Sequence, residues 1–101
     1  MSRLSKALLL AAVIAAPAYG ETMTDPSILG MWVSPDGHIR LELLPNGRYD
    51  EARGNRKSAY KGRYTVDGTK LEFFDDSGFT ASGKIEDGVL SAGPDRFRKE
   101  Q

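Results

Sequence analysis

Hydrophobic and polar residues alternate along most of residues 29–101. Ile39, Leu41 and Leu43 share one face of a run whose other face carries His38, Arg40 and Glu42. Tyr60, Gly62, Tyr64 and Val66 oppose Lys61, Arg63 and Thr65, and Leu71 and Phe73 oppose Lys70 and Glu72. Phe79, Ala81, Gly83 and Ile85 oppose Thr80, Ser82, Lys84 and Glu86. A period of two marks a strand with one buried and one wet face, because successive side chains leave the pleated backbone on opposite sides. No segment has the 3.6-residue spacing of an amphipathic helix. Turn signals separate the runs: Pro35-Asp36-Gly37, Pro45-Asn46-Gly47, Arg53-Gly54-Asn55, Asp67-Gly68, Ser77-Gly78, Asp87-Gly88 and Pro94-Asp95. Asn-Gly and Asp-Gly tolerate the positive φ that tight hairpins need. These seven turns bound eight strands, near residues 29–34, 38–44, 47–52, 59–66, 69–76, 79–86, 89–93 and 96–100. Strands with one wet face must close or stack to cover the other. Eight of them joined only by short turns predict an all-β fold, an eight-stranded antiparallel up-and-down barrel. A sandwich would need longer crossing connections than this chain has.

The first twenty residues have a different pattern. A short basic stretch with Arg3 and Lys6 precedes ten apolar residues at 7–16, and Pro17 follows. Ala18-Tyr19-Gly20 places small residues for cleavage after Gly20, and Ala16-Pro17-Ala18 does so for cleavage after Ala18. This is the layout of a secretory signal peptide over residues 1–20. The apolar run is half the roughly 20 residues needed to span a bilayer, so no membrane attachment is expected once the leader is removed. The expected product is periplasmic or secreted. Residues 21–28 are polar and without period, and read as a flexible N-terminal arm ahead of a barrel domain at 29–101.

Composition narrows the function. All 14 acidic residues lie beyond the leader against 12 of the 14 basic ones, a net of −2. A nucleic-acid binder normally carries a basic excess, so that partner is not expected. With no cysteine, disulfides, thiol nucleophiles and thiolate-bound metals are excluded. No nucleophile–base pairing or metal motif is present, so neither an enzymatic activity nor a cofactor or metal is expected.

Two stretches carry resemblances. Gly30-Met31-Trp32 matches the Gly-x-Trp that opens the first strand of lipocalins and avidins. There the tryptophan plugs one end of the barrel, often under a basic side chain of the last strand. The resemblance makes Gly30 and Trp32 a structural plug and Arg96 and Arg98 the candidates to cover it. Residues 47–60 resemble the third strand and following loop of streptavidin in the order and spacing of Gly-x-Tyr, Ala-x-Gly-Asn and Ser-x-Tyr. More closely, residues 32–40 and 43–64 resemble a small family of bacterial proteins with a streptavidin-like barrel, known from an Agrobacterium representative. That family implies the fold and brings no established activity. Biotin binding does not carry over. Tyr49 matches the tyrosine that holds the ureido group, but Glu51 stands where a serine belongs, and Trp32 is the only tryptophan. Without aromatic walls, most of the apolar burial behind such binding is lost.

The candidate ligand-binding residues are therefore Tyr49, Glu51, Arg53, Asn55, Tyr60 and Tyr64. Tyr49, Glu51 and Arg53 share a parity, so they face one way, inward and toward a barrel mouth. An inward carboxylate needs a partner. Glu51 reads first as part of a structural ion pair at the rim, with a polar binding pocket as the alternative. Arg56 and Lys57 are expected in the following loop. His38 reads as a surface residue, since no second ligand stands at a metal-binding spacing. Asp75-Asp76 before Ser77-Gly78 reads as a turn rather than a calcium loop. Tyr60, Tyr64, Phe73, Phe79 and Phe97 either line a cavity or fill the barrel, and their bulk favours a small cavity or none. Two functions compete: a binding module for a small neutral or cationic ligand other than biotin, and a protein–protein module such as an inhibitor of an exported hydrolase. A cavity would favour the first, and a packed barrel with an ordered arm the second.

Overall fold

The computed structural model describes residues 25–101. The leader and its cleavage sites lie outside the described residues. Eight strands follow in order: β1 (Gly30–Val33), β2 (Ile39–Leu43), β3 (Arg48–Arg53), β4 (Arg56–Asp67), β5 (Lys70–Asp75), β6 (Thr80–Glu86), β7 (Val89–Ala92) and β8 (Asp95–Lys99). Each pairs antiparallel with its neighbours, and β1 also pairs with β8, so the sheet closes into a barrel with no free edge. Closure removes the unpaired strand edges that an open sheet would leave.

The alternation sorts most faces as expected, although Val66 at the end of β4 and Tyr60 near its start are exposed. Ile39, Leu41, Leu43, Tyr49, Tyr64, Leu71, Phe73, Leu90 and Phe97 join Trp32 in one buried cluster. Leu43, Leu71 and Leu90 are its most enclosed members. The Asp87-Gly88 hairpin takes φ of 54° and 78° at its two residues, the twist-matched conformation that these residue types adopt at little cost.

β4 begins at Arg56, three residues earlier than its alternation suggests. Gly54 and Asn55 alone turn the chain, so Arg53 pairs with Arg56 and both Arg56 and Lys57 lie on the strand. The register then shifts so that Glu51 faces Tyr60. Three residues, 57–59, stand opposite Ala52 alone, and Ser58 takes a φ of 49° within them. Such a bulge re-aims the following side chains. Here, however, two residues are extra, so the parity is the same on both sides of it, and Gly62 and Tyr64 keep the inward phase. Gly62 approaches β5 so closely that a Cβ would lie 2.0 Å from the Phe74 carbonyl oxygen.

One end of the barrel is closed. Pro26–Ile28 forms a short 3-10 turn capped by the Asp25 side chain, which accepts from the Ser27 N–H at 2.9 Å. The last four residues of the segment expected to be a flexible arm thus fold onto the barrel. The buried Trp32 donates from Nε1 to the Ile28 carbonyl at 2.9 Å. Lys99 Nζ donates to the Ser27 carbonyl at 2.8 Å.

Candidate functional site

The other end is open. Leu41, Tyr49 and Phe73 form the floor of a cavity of about 300 Å³. Phe97, Ala81 and Ala92 line its sides, and Glu51, Arg53, Tyr60, Asp75, Phe79 and Asp95 stand around it. The ends of β3, β5 and β7 and the starts of β4, β6 and β8 converge there, which is why one side chain from each can reach the space.

Tyr49 is 5% exposed, and its ring meets Phe73 edge-on with centroids 5.2 Å apart. Its hydroxyl has no hydrogen-bond partner among the described residues. Burial pushes the phenol up to about 12, and the negative charges of Asp75, Glu51 and Asp76 act in the same direction. The group is therefore a neutral phenol across the physiological range, able both to donate and to accept. Tyr64 is equally buried, but its hydroxyl donates to the Leu44 carbonyl at 2.8 Å.

Glu51 and Arg53 form an ion pair, Nε to Oε2 at 2.6 Å, with the carboxylate largely enclosed. The Arg53 guanidinium also lies over the Tyr60 ring at 5.2 Å. Its charge is held more firmly than usual, first by the hydrogen bond to Glu51 and then, against a desolvation cost, by Coulomb attraction to the same group. The pair expected at the rim is thus present, and it forms one wall of the cavity. Pair and pocket are the same residues.

Four of the six sequence-predicted residues meet here: Tyr49, Glu51, Arg53 and Tyr60. Asn55 does not, because it sits in the two-residue turn beyond the rim and is exposed. Tyr64 shares the parity of Tyr60 but lies four residues deeper, in the packed half. The plug is only partly as expected. Gly30 and Trp32 are at the closed end, where a Cβ on Gly30 would meet the Lys99 side chain at 3.1 Å. Arg96 and Arg98 do not cover the tryptophan. Phe97 is the inward residue between them, so both arginines point outward, and Arg96 donates to Ser91 Oγ at 3.0 Å. Lys99, in phase with Phe97, supplies the basic group at that end.

Two other differences concern the rim. Phe79 was expected to face inward with Ala81, but it precedes β6 and is 71% exposed. In the sequence Asp75 and Asp95 have only turn roles, but both border the cavity. Asp75 continues the inward set of Leu71 and Phe73, and Asp95 that of Phe97, so extending the period of two to the strand ends locates both. Asp75 also closes the turn, accepting from the Ser77 N–H at 2.7 Å. The hydrogen bond from the Ser77 hydroxyl, and after it this one, holds its carboxyl below the usual range. His38 is exposed, and its ring lies where a Cβ on Gly54 would meet it at 3.0 Å. Among the described residues no group of three His, Asp or Glu is placed to hold a metal ion.

The fold and site together define a small, closed, eight-stranded antiparallel barrel, plugged at one end and hollow at the other. Residues 25–94 match the family model described as Agrobacterium tumefaciens protein Atu4866, and the chain belongs to that family. It is similar to the solution structure of the protein Atu4866 from Agrobacterium tumefaciens, at 57% identity over 72% of this chain and 94% of that one, with a TM-score of 0.67. No curated protein matches the chain.

Proposed function

We propose that this protein is an exported, non-enzymatic binding module that holds a small neutral or cationic molecule, other than biotin, in the open mouth of its barrel. The observation that carries this reading is the Tyr49 hydroxyl, buried against the cavity with no partner among the described residues. A buried polar group left unmatched costs roughly 1–3 kcal/mol, and such costs gather where a site serves a ligand rather than the fold. The concave, largely apolar lining with a few converging polar groups is the usual make-up of a small-molecule pocket. The leader-like pattern of residues 1–20 supports export.

Phe79 supports a second reading. A side chain 71% exposed at the rim, close in sequence to nothing that covers it, is also what a protein-binding edge presents. The cavity beneath it favours the small molecule. A library of small fragments, titrated into isotope-labelled protein and followed by amide shifts, separates the two. Shifts centred on Tyr49, Phe73 and Ala81 are expected. A library that moves only the outer residues around Phe79, or none, contradicts the proposal.

A further inference from the structure

Three carboxylates and one guanidinium line the cavity: Glu51, Asp75 and Asp95 against Arg53. Their commitments differ. Glu51 and Arg53 hold each other at 2.6 Å. Asp75 is occupied by Ser77. Asp95 is half-buried at the start of β8 and makes no hydrogen bond or ion pair among the described residues. The nearby cation, Arg53, is already bonded to Glu51. The mouth thus carries an excess of negative charge, and Asp95 has only the longer-range attraction of Arg53.

The walls suit a cation as well. Aromatic faces attract positive charge, more strongly where water is displaced. Arg53 shows the chemistry with the chain's own material: its guanidinium lies over Tyr60 at 5.2 Å while its Nε donates to a carboxylate. Tyr49, Phe73, Phe79 and Phe97 line the remaining space. That space is about 300 Å³, or about ten water-sized groups at ~30 Å³ each. It is enough for one ring-sized apolar body and one charged head.

Resting on the reading of the mouth as a small-molecule site, we propose that its ligand is an organic cation, a protonated amine or guanidinium carried on a small apolar body. The N–H groups bond to the Asp95 carboxylate and the Tyr49 hydroxyl oxygen, and the body packs on the rings. This assigns an acceptor role to two side-chain groups that make no hydrogen bond among the described residues. An anion meets the opposite conditions, with three carboxylates around it and the one guanidinium already taken.

Calorimetric titration of the full chain with 2-phenylethylamine, 2-phenylethanol and 3-phenylpropionate tests the charge, because the three share a body and differ in the head. The amine is expected to bind about tenfold more tightly than the alcohol, and the carboxylate to give no heat. Asp95→Asn is expected to bring the amine to within about twofold of the alcohol while leaving the melting temperature unchanged. If alcohol and amine bind equally, or the carboxylate binds best, the cation inference fails and the small-molecule site stands. If none of the three gives heat at up to about 10 mM, weaker than any useful affinity, and no amide near Tyr49 or Ala81 moves, the small-molecule site fails with it. The wild-type comparison decides the sign whether or not the variant folds.

Discussion

Tyr49 and Tyr64 provide a paired experiment within one barrel. Each is 5% exposed, and each loses only its hydroxyl when changed to phenylalanine. The Tyr64 hydroxyl donates to the Leu44 carbonyl at 2.8 Å, so Tyr64→Phe removes that bond and leaves the carbonyl without this donor. The carbonyl keeps the Gly47 N–H at 3.3 Å, so the loss is that of one net bond, roughly 1 kcal/mol. The Tyr49 hydroxyl makes no such bond, and removing it relieves a desolvation cost. Water entering the open mouth offsets part of that cost, so Tyr49→Phe should leave stability unchanged or raise it by up to about 1 kcal/mol. In a domain of this size 1 kcal/mol moves the melting temperature by roughly 4–8 °C. The two variants should therefore separate by roughly 10 °C, with Tyr49→Phe the higher. Thermal unfolding followed by circular dichroism measures this directly. If Tyr49→Phe falls as far as Tyr64→Phe, the Tyr49 hydroxyl is part of the fold and the argument for a ligand at that position collapses.

The same phenol predicts an alkaline effect. Its folded-state value of about 12 lies above the ordinary 10.0, so the stabilisation is complete below pH 10 and is lost as pH rises toward 12. The melting advantage of Tyr49→Phe over wild type should widen between about pH 9 and about pH 11.5, and a constant gap would contradict this. Trp32→Ala empties the closed end and should cost about 3–5 kcal/mol; a melting temperature within a few degrees of wild type would show that Trp32 is no plug. Gly62→Ala puts a methyl group 2.0 Å from the Phe74 carbonyl oxygen, where backbone cannot yield easily, and should cost at least about 1–3 kcal/mol by denaturant unfolding. Calorimetry with biotin should show no binding at micromolar concentration, since Glu51 replaces the hydroxyl donor and no tryptophan lines the mouth; an isotherm at micromolar affinity or tighter would overturn that.

The period of two is visible in single residues, so the barrel and most of its core were legible from pattern alone. Ile39, Leu41 and Leu43 are all buried, and Arg40 and Glu42 between them are not. Parity carried from Tyr49 also placed Glu51 and Arg53 at the rim. What pattern could not supply is depth along the axis. Tyr60 and Tyr64 have the same parity, yet one borders the cavity and the other is packed below it. Parity also fails at strand ends: Phe79 lies outside β6, where the turn rather than the pleat sets its direction. The bulge opposite Ala52 was hidden because an extra pair of residues preserves the alternation on both sides of it. The analogy locates the plug at Gly30 and Trp32 but not its cover, since Arg96 and Arg98 flank the inward Phe97, and the phase of β8 itself points to Lys99.

The central claim is that the mouth of the barrel is a ligand site, and the direct measurement is to fill it. Ala81 lines the cavity opposite Phe73 and is otherwise unburdened by contacts that the core needs. Ala81→Trp should occupy the space while leaving the packed half intact. Fragments that shift Tyr49 and Phe73 amides in the wild type are predicted to shift nothing in this variant, with a melting temperature unchanged or higher. Fragment binding that persists with the mouth filled would place the site elsewhere and contradict the account.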